Sequence, residues 1–286
     1  MRRRPSRLTY RNRSRILINI VMAIVVLLLA MPLWYVLNNA MKVEQEIIRR
    51  PLVLRPQDFT LDSVASAFRV MSYPLRFMNS MILLVISCAA LISIGSLAAF
   101  GIAMANSRAM NRLYAFLVAI ITLPFQLAMV PLIFLLKGLG LINNYLGTAL
   151  VYTAWFLPFV IFLYTGFIRT IPKELEESAR VDGCGLVRSY LFVYLPLLKQ
   201  ITGTVLILRG VTIWNDLLVP MITLTRSTLM PLQLKLYSLI GRYSSSMTRW
   251  NLVFGGTFIV SVPILIAFLA LQRFFVRGVV AGAVKG

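Results

Sequence analysis

Residues 171–200 read IPKELEESARVDGCGLVRSYLFVYLPLLKQ, and the environment of this stretch decides how the rest of the chain is arranged. It holds Glu174, Glu176, Glu177 and Asp182, four of the 9 acids in the chain, between two long apolar blocks. It therefore lies in a different medium from its neighbours. Pro172 suits a first helical turn, and Glu176 with Arg180 makes an i,i+4 pair of favourable orientation. Gly183 supplies the break that a helix end needs, and a second apolar turn over 186–195 is expected to stop at Pro196. The expectation is two short helices joined at a glycine, presenting a small mixed surface to the cytoplasm.

Outward from this loop the composition is that of an integral membrane protein. Of 286 residues 59% are hydrophobic, and the mean hydropathy is +0.83, outside the range of soluble domains. There is no histidine, and the two cysteines, Cys88 in an apolar run and Cys184 in the polar loop, are expected in different compartments. That excludes a disulfide framework and a Cys/His metal site. The net charge of +20 does not argue for nucleic acid in so apolar a chain. Seven arginines stand in the first fifteen residues, directly before the first apolar run, where they act as positive-inside signals and meet anionic lipid. That run, 16–37, is too long for the apolar region of a secretory signal and reads as an uncleaved anchor.

A spanning helix needs about 20 apolar residues, and six stretches qualify: 16–37, 77–104, 113–136, 145–168, 201–224 and 252–275. The fold class expected is all-α, six transmembrane helices with short cytoplasmic helices between the fourth and fifth. Alternation of the β-barrel kind is absent. The chain then divides into a basic arm (1–15), a transmembrane domain (16–277) containing the loop 171–196, and a tail (278–286), with both termini cytoplasmic. Pro51, Pro56 and Pro74 predict an external strap over 38–76 with little regular structure. Gly95, Ser96, Ala98, Ala99, Gly101, Ala103 and Ala105 predict close packing of the second span.

Glu177-Ser178-Ala179, Gly183, Val193, Leu195 and Pro196 resemble the EAA…G…I-x-LP signature of membrane subunits of bacterial ABC importers, with Ser for Ala and Val for Ile. The resemblance implies coupling helices seated in an ATP-hydrolysing partner, carried here by Glu176, Glu177, Ser178, Ala179, Arg180, Asp182, Gly183 and Pro196. Pro32-Leu33-Trp34, Asn79-Ser80, Trp214-Asn215 and the ending from Gln272 to Gly286 resemble the carbohydrate-uptake, maltose-permease-like branch. That branch implies a tail contact with the ATPase through Ala283, Val284, Lys285 and Gly286. It also implies four kinds of partner: a second, homologous permease in a heterodimer, two ATP-binding subunits, an extracytoplasmic solute-binding protein, and membrane lipid. No cofactor or metal is expected on this chain, ATP and Mg belonging to the partner subunits.

No GxxxxGK[ST] loop occurs, and acid–base catalysis has few candidates without histidine, so the chain reads as a non-enzyme. In the fifth span, Arg209 is costly near the membrane centre and must face a partner or a polar interior. One reading pairs it with Asp216 at i+7 or with a partner subunit. The other sets it in the translocation path, against an anionic part of the cargo. The external segment 225–251 carries Arg226, Lys235, Arg242 and Arg249 and no acid, which suggests an acidic, uronate-containing oligosaccharide. Trp214, Trp155 and Tyr152 are candidates to stack on sugars, Asn215 and Gln126 to bond hydroxyls. The rivals are a self-contained transporter driven by an ion gradient, for which Asp216 is the sole midplane carboxylate, and a membrane-embedded enzyme.

Overall fold

The computed structural model describes residues 7–105, 107–242 and 249–283, with side chains described for 15–105, 107–172, 174–240 and 249–270. The described regular structure is helical: α1 (Arg7–Ala40), α2 (Glu44–Arg49), α3 (Asp62–Val70), α4 (Tyr73–Ala105), α5 (Arg108–Ile120), α6 (Met129–Gly138), α7 (Tyr145–Ile168), α8 (Lys173–Val181), α9 (Leu186–Ser189), α10 (Leu195–Leu197), α11 (Lys199–Asn215), α12 (Leu218–Thr223), α13 (Leu232–Arg242) and α14 (Trp250–Ala283). Among the described residues four helices are long and apolar enough to cross a membrane, and six if each of two bent pairs forms one span.

The bent pairs correct two expectations. The third span is not one straight helix: α5 and the stretch Phe125–Gly138 meet at 96°. Pro124 has no N–H and disfavours helix at Leu123, so the chain turns there. The 13 residues of α5 reach only about 20 Å, short of a hydrocarbon core of about 30 Å. The fifth span does not run on to 224, because α11 stops at Asn215, where Asp216 goes extended (φ −72, ψ 138). It joins instead to Leu186–Leu197 through a 68° bend.

The chain forms two compact units, residues 71–238 with 260–286 and residues 1–70 with 239–259. In the larger, α4 and α7 pack most closely. A Cβ on Gly95 would lie 2.5 Å from Val160 Cγ1, so glycine is what allows this approach. Ser96 and Ala99 are buried on the same face, whereas Gly101 and Ala105 are exposed, and the small-residue cluster is therefore only partly a packing face. Ser96 Oγ lies 2.8 Å from Tyr190 Oη, and Tyr164 Oη 2.8 Å from Thr202 Oγ1, so these hydroxyls are matched in pairs, whereas those of Ser87, Thr165, Ser189 and Thr204 are buried without a partner. At the start of α4, Arg76 donates to the Ser227 carbonyl and Asn79 Nδ2 to those of Thr228 and Met230, at 2.8 and 3.0 Å. Ser80 Oγ accepts from Leu232 N–H at 2.9 Å. Asn79-Ser80, noticed in sequence only as a pattern, thus pins the segment before α13.

In the smaller unit the strap is more regular than its prolines suggest, since it contains α2 and α3. Glu44 and Glu46 begin α2 and Arg49 ends it, the charge order that a helix dipole favours. Lys42 is fully buried, and its Nζ donates to the Arg50 carbonyl at 2.7 Å, while Ser63 Oγ donates to the Lys42 carbonyl at 2.5 Å. Arg55 holds Asp58 through two bonds of 2.7 and 2.8 Å. Gly255 is needed here too, because a Cβ would meet the Ser63 carbonyl oxygen at 2.5 Å.

Two outcomes follow from this packing. Gly95→Ala should destabilise the purified protein in detergent by about 1–3 kcal/mol, while Gly101→Ala, whose Cβ would meet nothing within 4 Å, should leave thermal unfolding unchanged or raise it slightly. In the strap, the hydrogen bond from Arg55 holds the Asp58 carboxyl below its usual range. A carboxyl lowered in the folded state contributes above its unfolded pKa and loses that contribution as pH falls through the folded value. Amide protection over 41–60, relative to the intrinsic exchange rate at each pH, should therefore fall below about pH 4 in wild type, and already be lower at neutral pH in Asp58→Asn. Unchanged exchange in that variant would remove the pair from the supports of the strap.

Candidate functional site

The polar loop is built as a helix that ends at a glycine. Pro172, in an extended conformation, precedes α8 as its N-cap, one position earlier than a first-turn proline, and Glu174 and Glu176 lie in the first turn. Glu176 and Arg180 pair at 2.5 Å. Gly183 has φ +76, its N–H bonds to the Arg180 carbonyl at 3.0 Å, and Cys184 N–H reaches the Ala179 carbonyl at 2.9 Å. That double bond pattern closes the last turn and needs the left-handed conformation glycine adopts freely. Ala179 is buried beneath the turn, while Glu177, Ser178 and Asp182 are exposed.

The same segment also leaves apolar side chains exposed. Val181 is 88% exposed, Val187 72% and Phe192 73%, a patch of the kind that marks a protein contact. Pro196 does not stop the second helix, as the sequence suggested. A π turn over Tyr190–Tyr194 loosens the hydrogen-bond ladder ahead of the proline, and the chain stays helical through Leu197 before bending into α11 at Leu198, which is fully buried. A wider turn absorbs the missing N–H.

The residues proposed for a path separate into three groups. Tyr152 and Asp216 form a structural pair: Tyr152 Oη donates to Asp216 Oδ2 at 2.9 Å. The same carboxylate accepts from Leu218 and Val219 N–H at 3.2 and 3.0 Å, capping α12. Trp214 is buried, stands edge-on to Phe77 with centroids 5.9 Å apart, and lines an apolar cavity of about 760 Å³ with residues of α4 and α14. Asn215 Nδ2 donates to the Val211 carbonyl at 3.0 Å, and its Oδ1 accepts from Gln233 Nε2 at 3.1 Å.

Arg209 belongs to the third group and does not pair with Asp216. Its guanidinium carbon lies 3.8 Å from the Phe159 ring centroid and 4.6 Å from that of Phe156, and its buried Nε has no hydrogen-bond partner. No ion pair to Arg209 exists among the described residues. The two ring contacts together contribute about 1–4 kcal/mol, comparable with an insertion cost of about 2.5–3.5 kcal/mol for a central arginine, but a ring face is no hydrogen-bond acceptor in the guanidinium plane, and the demand of the buried Nε is left unmet. Trp155 stacks between Phe125 at 4.3 Å and Phe156 at 4.6 Å, and Gln126 is exposed on the turn that carries Phe125.

Phe156 and Phe159 escaped the sequence reading, which looked for a carboxylate beside the arginine and not for rings. The spacing Trp155, Phe159, Phe162 (i, i+4, i+7) was the available signal. Of the tail residues, Ala283 closes the described part of α14, and Val284, Lys285 and Gly286 lie outside the described residues. Among the cations expected on the outer side, Arg226 and Arg249 are exposed and Lys235 half-buried, while the side chain of Arg242 lies outside those described.

Residues 91–280 match the family described as binding-protein-dependent transport system inner membrane component. The melibiose/raffinose/stachyose import permease of Bacillus subtilis is 32% identical over 277 residues, covering 96% of this chain and 99% of that protein. The arabinooligosaccharides permease of the same organism is 27% identical, over 95% and 96%. In fold the chain resembles a chain in the crystal structure of a bacterial ABC transporter involved in the import of the acidic polysaccharide alginate, with TM-score 0.76, 20% identity, and coverage of 96% of this chain and 100% of that one.

The Tyr152–Asp216 pair gives a direct expectation. Asp216→Ala loses a helix cap and leaves a buried hydroxyl unpaired, and should cost about 2–4 kcal/mol in denaturant unfolding of the purified assembly. Asp216→Asn keeps one acceptor oxygen, which in the place of Oδ2 still serves Tyr152 and Val219 N–H while its NH2 faces Leu218 N–H, and should cost about 1 kcal/mol with uptake retained. Loss of uptake in Asp216→Asn at unchanged stability would instead make this carboxylate an ion-binding group.

Proposed function

The chain belongs to the family of inner membrane components of binding-protein-dependent transport systems, and from that premise we propose that it is the permease subunit of an ATP-driven importer of an acidic, uronate-containing oligosaccharide. Sugar import by the relatives named above supports the cargo class, and the alginate importer of like fold is consistent with an acidic cargo. The observation that carries the acidic reading is Arg209, a mid-helix guanidinium resting on two rings with no anion among the described residues. A cargo carboxylate would meet that demand in charge and in planar geometry.

In this reading the subunit pairs with a second permease, and two ATP-binding subunits carrying ATP and Mg grip the exposed Glu177, Ser178 and Asp182 of the loop and the apolar patch beside them. An extracytoplasmic binding protein delivers the sugar, and both termini are cytoplasmic. Closure of the ATPases displaces α8 and α9. α9 runs into α11 through a buried bend and α8 joins it across the Gly183 turn, so a rigid-body shift of the loop reaches the helix that bears Arg209. The ion-gradient alternative requires a midplane carboxylate free to take up a cation, and Asp216 is committed to Tyr152 and to α12.

Reconstitution of the whole assembly with its binding protein in proteoliposomes tests this reading. Glu177→Ala should abolish stimulation of ATP hydrolysis by the loaded binding protein. Arg209→Met should lower uptake of uronate oligosaccharides by at least about tenfold, the loss expected for a desolvated charged contact, and leave neutral sugars unaffected. Normal uronate uptake by Arg209→Met, with neutral sugars competing equally, would end the acidic-cargo reading. A full response in Glu177→Ala would end the assignment of the loop.

A further inference from the structure

Trp155, Phe159 and Phe162 lie on one face of α7, and Phe162 is 40% exposed, while Tyr152, Phe156, Val160 and Tyr164 are buried on the other faces. Following that stripe toward the end of α7, the next position is Gly166, exposed and with nothing within 4 Å of where a Cβ would be. One turn later comes Arg169. Ring contacts lie on either side of the step from Trp155 to Phe159. Phe125 stacks on Trp155 at 4.3 Å, Phe159 and Phe162 are 6.4 Å apart, and Phe162 and Tyr114 are 6.5 Å apart and nearly parallel. Arg209 lies over Phe159 in the middle, and Arg169 over Tyr114, 4.9 Å from its centroid, at the end. From Trp155 to Arg169 the helix rises about 21 Å, roughly two-thirds of a hydrocarbon core of about 30 Å.

An aromatic stripe on a membrane helix ordinarily meets lipid or a neighbouring helix. A lipid face is a poor fit here, because the same stripe carries the unpaired guanidinium of Arg209 midway along it. Neither Arg209 nor Arg169 makes an ion pair among the described residues, so the face offers π surfaces interrupted by positive charge. A pyranose ring of a uronate has the matching chemistry: an apolar C–H face, a rim of hydroxyls, and a carboxylate suited to a planar guanidinium. Stacking is tolerant of position, which suits a ligand that has to keep moving.

We infer that this face of α7 is a sugar track, on which rings of the cargo stack in turn on the half-buried Phe159 and the exposed Phe162, Trp155 being closed off between Phe125 and Phe156, with Arg209 and Arg169 as two successive carboxylate stations. This inference rests on the importer reading above. It adds a second cation at the cytoplasmic end, where Arg169 is held by Tyr114 and by a 2.8 Å bond to Asn111 Oδ1.

The test uses the whole assembly in proteoliposomes, with a mannuronate trimer and raffinose as probes. Phe159→Leu and Phe162→Leu keep apolar volume and remove the π face; each should lower sugar uptake per ATP hydrolysed about three- to tenfold. Phe159→Tyr and Phe162→Tyr should restore it to within about twofold, and Arg169→Gln, which can still bond Asn111, should slow the uronate alone. Wild-type uptake in both leucine variants overturns the track, and so does loss of the second permease from the purified leucine variants, which would make this face an interface. Normal leucine variants with a uronate-specific defect in Arg209→Met would sink the track and leave the acidic cargo standing. Leucine variants defective for raffinose, with Arg209→Met silent, would keep the track and discard the acidic cargo; uptake of neither probe by wild type overturns both.

Discussion

The approach of α4 to α7 at Gly95 is the contact from which the order of the larger unit follows. In lipid there is no hydrophobic gain from bringing two apolar helices together, so association depends on close fit and on a few hydrogen bonds. Val160 occupies the space that a side chain at position 95 would fill, which fixes both the distance and the rotation of α7 about its axis. That rotation buries Tyr152, Phe156 and Tyr164, leaves Trp155 and Phe159 half-buried and turns Phe162 outward. Arg209 of α11 then comes to rest on Phe156 and Phe159. Its placement is a consequence of helix packing, with no acid on its own helix involved.

The same medium governs where helices are broken. Backbone groups freed in a low-dielectric environment have to be satisfied locally, and each break carries its own device. Pro124 turns the chain by changing direction altogether. Asp216 caps α12 with its carboxylate and takes up the Tyr152 hydroxyl as well. The π turn before Pro196 widens the ladder so that no donor is missed and the helix continues. These are separate answers to one constraint, and they explain why two of the apolar stretches fail to form straight spans.

In the proposed cycle, coupling and cargo recognition would meet in one piece of chain. The second loop helix leads through the buried Leu198 into α11, so the surface offered to the ATPases in the proposed cycle and the guanidinium proposed to meet the cargo are separated by the turn at Gly183 and one bend. A Schellman-type closure at Gly183 holds the exposed Glu177 and Asp182 on a defined turn, which a loop has to have if it is to transmit a push.

The fold class was legible in the sequence because the need for about 20 apolar residues per span leaves a mark in composition alone, and the polar loop declared itself by its charges. Glu176–Arg180, Gly183 and the burial of Ala179 follow from local spacing and conformation, which the order of residues contains. Arg209 was recognisable as costly, but its partners were not. The i+7 distance to Asp216 suggested an ion pair, yet Asp216 lies just beyond the end of α11, in extended backbone, and the periodicity that would align the two no longer applies there. The helices inside the strap were likewise obscured by prolines that fall between them. What the residues alone determined is the medium each segment occupies and the cost of each polar group within it. Which group meets that cost depends on the rotation of one helix against another, and only tertiary packing decided that, because a glycine and a valine sixty-five positions apart set the angle.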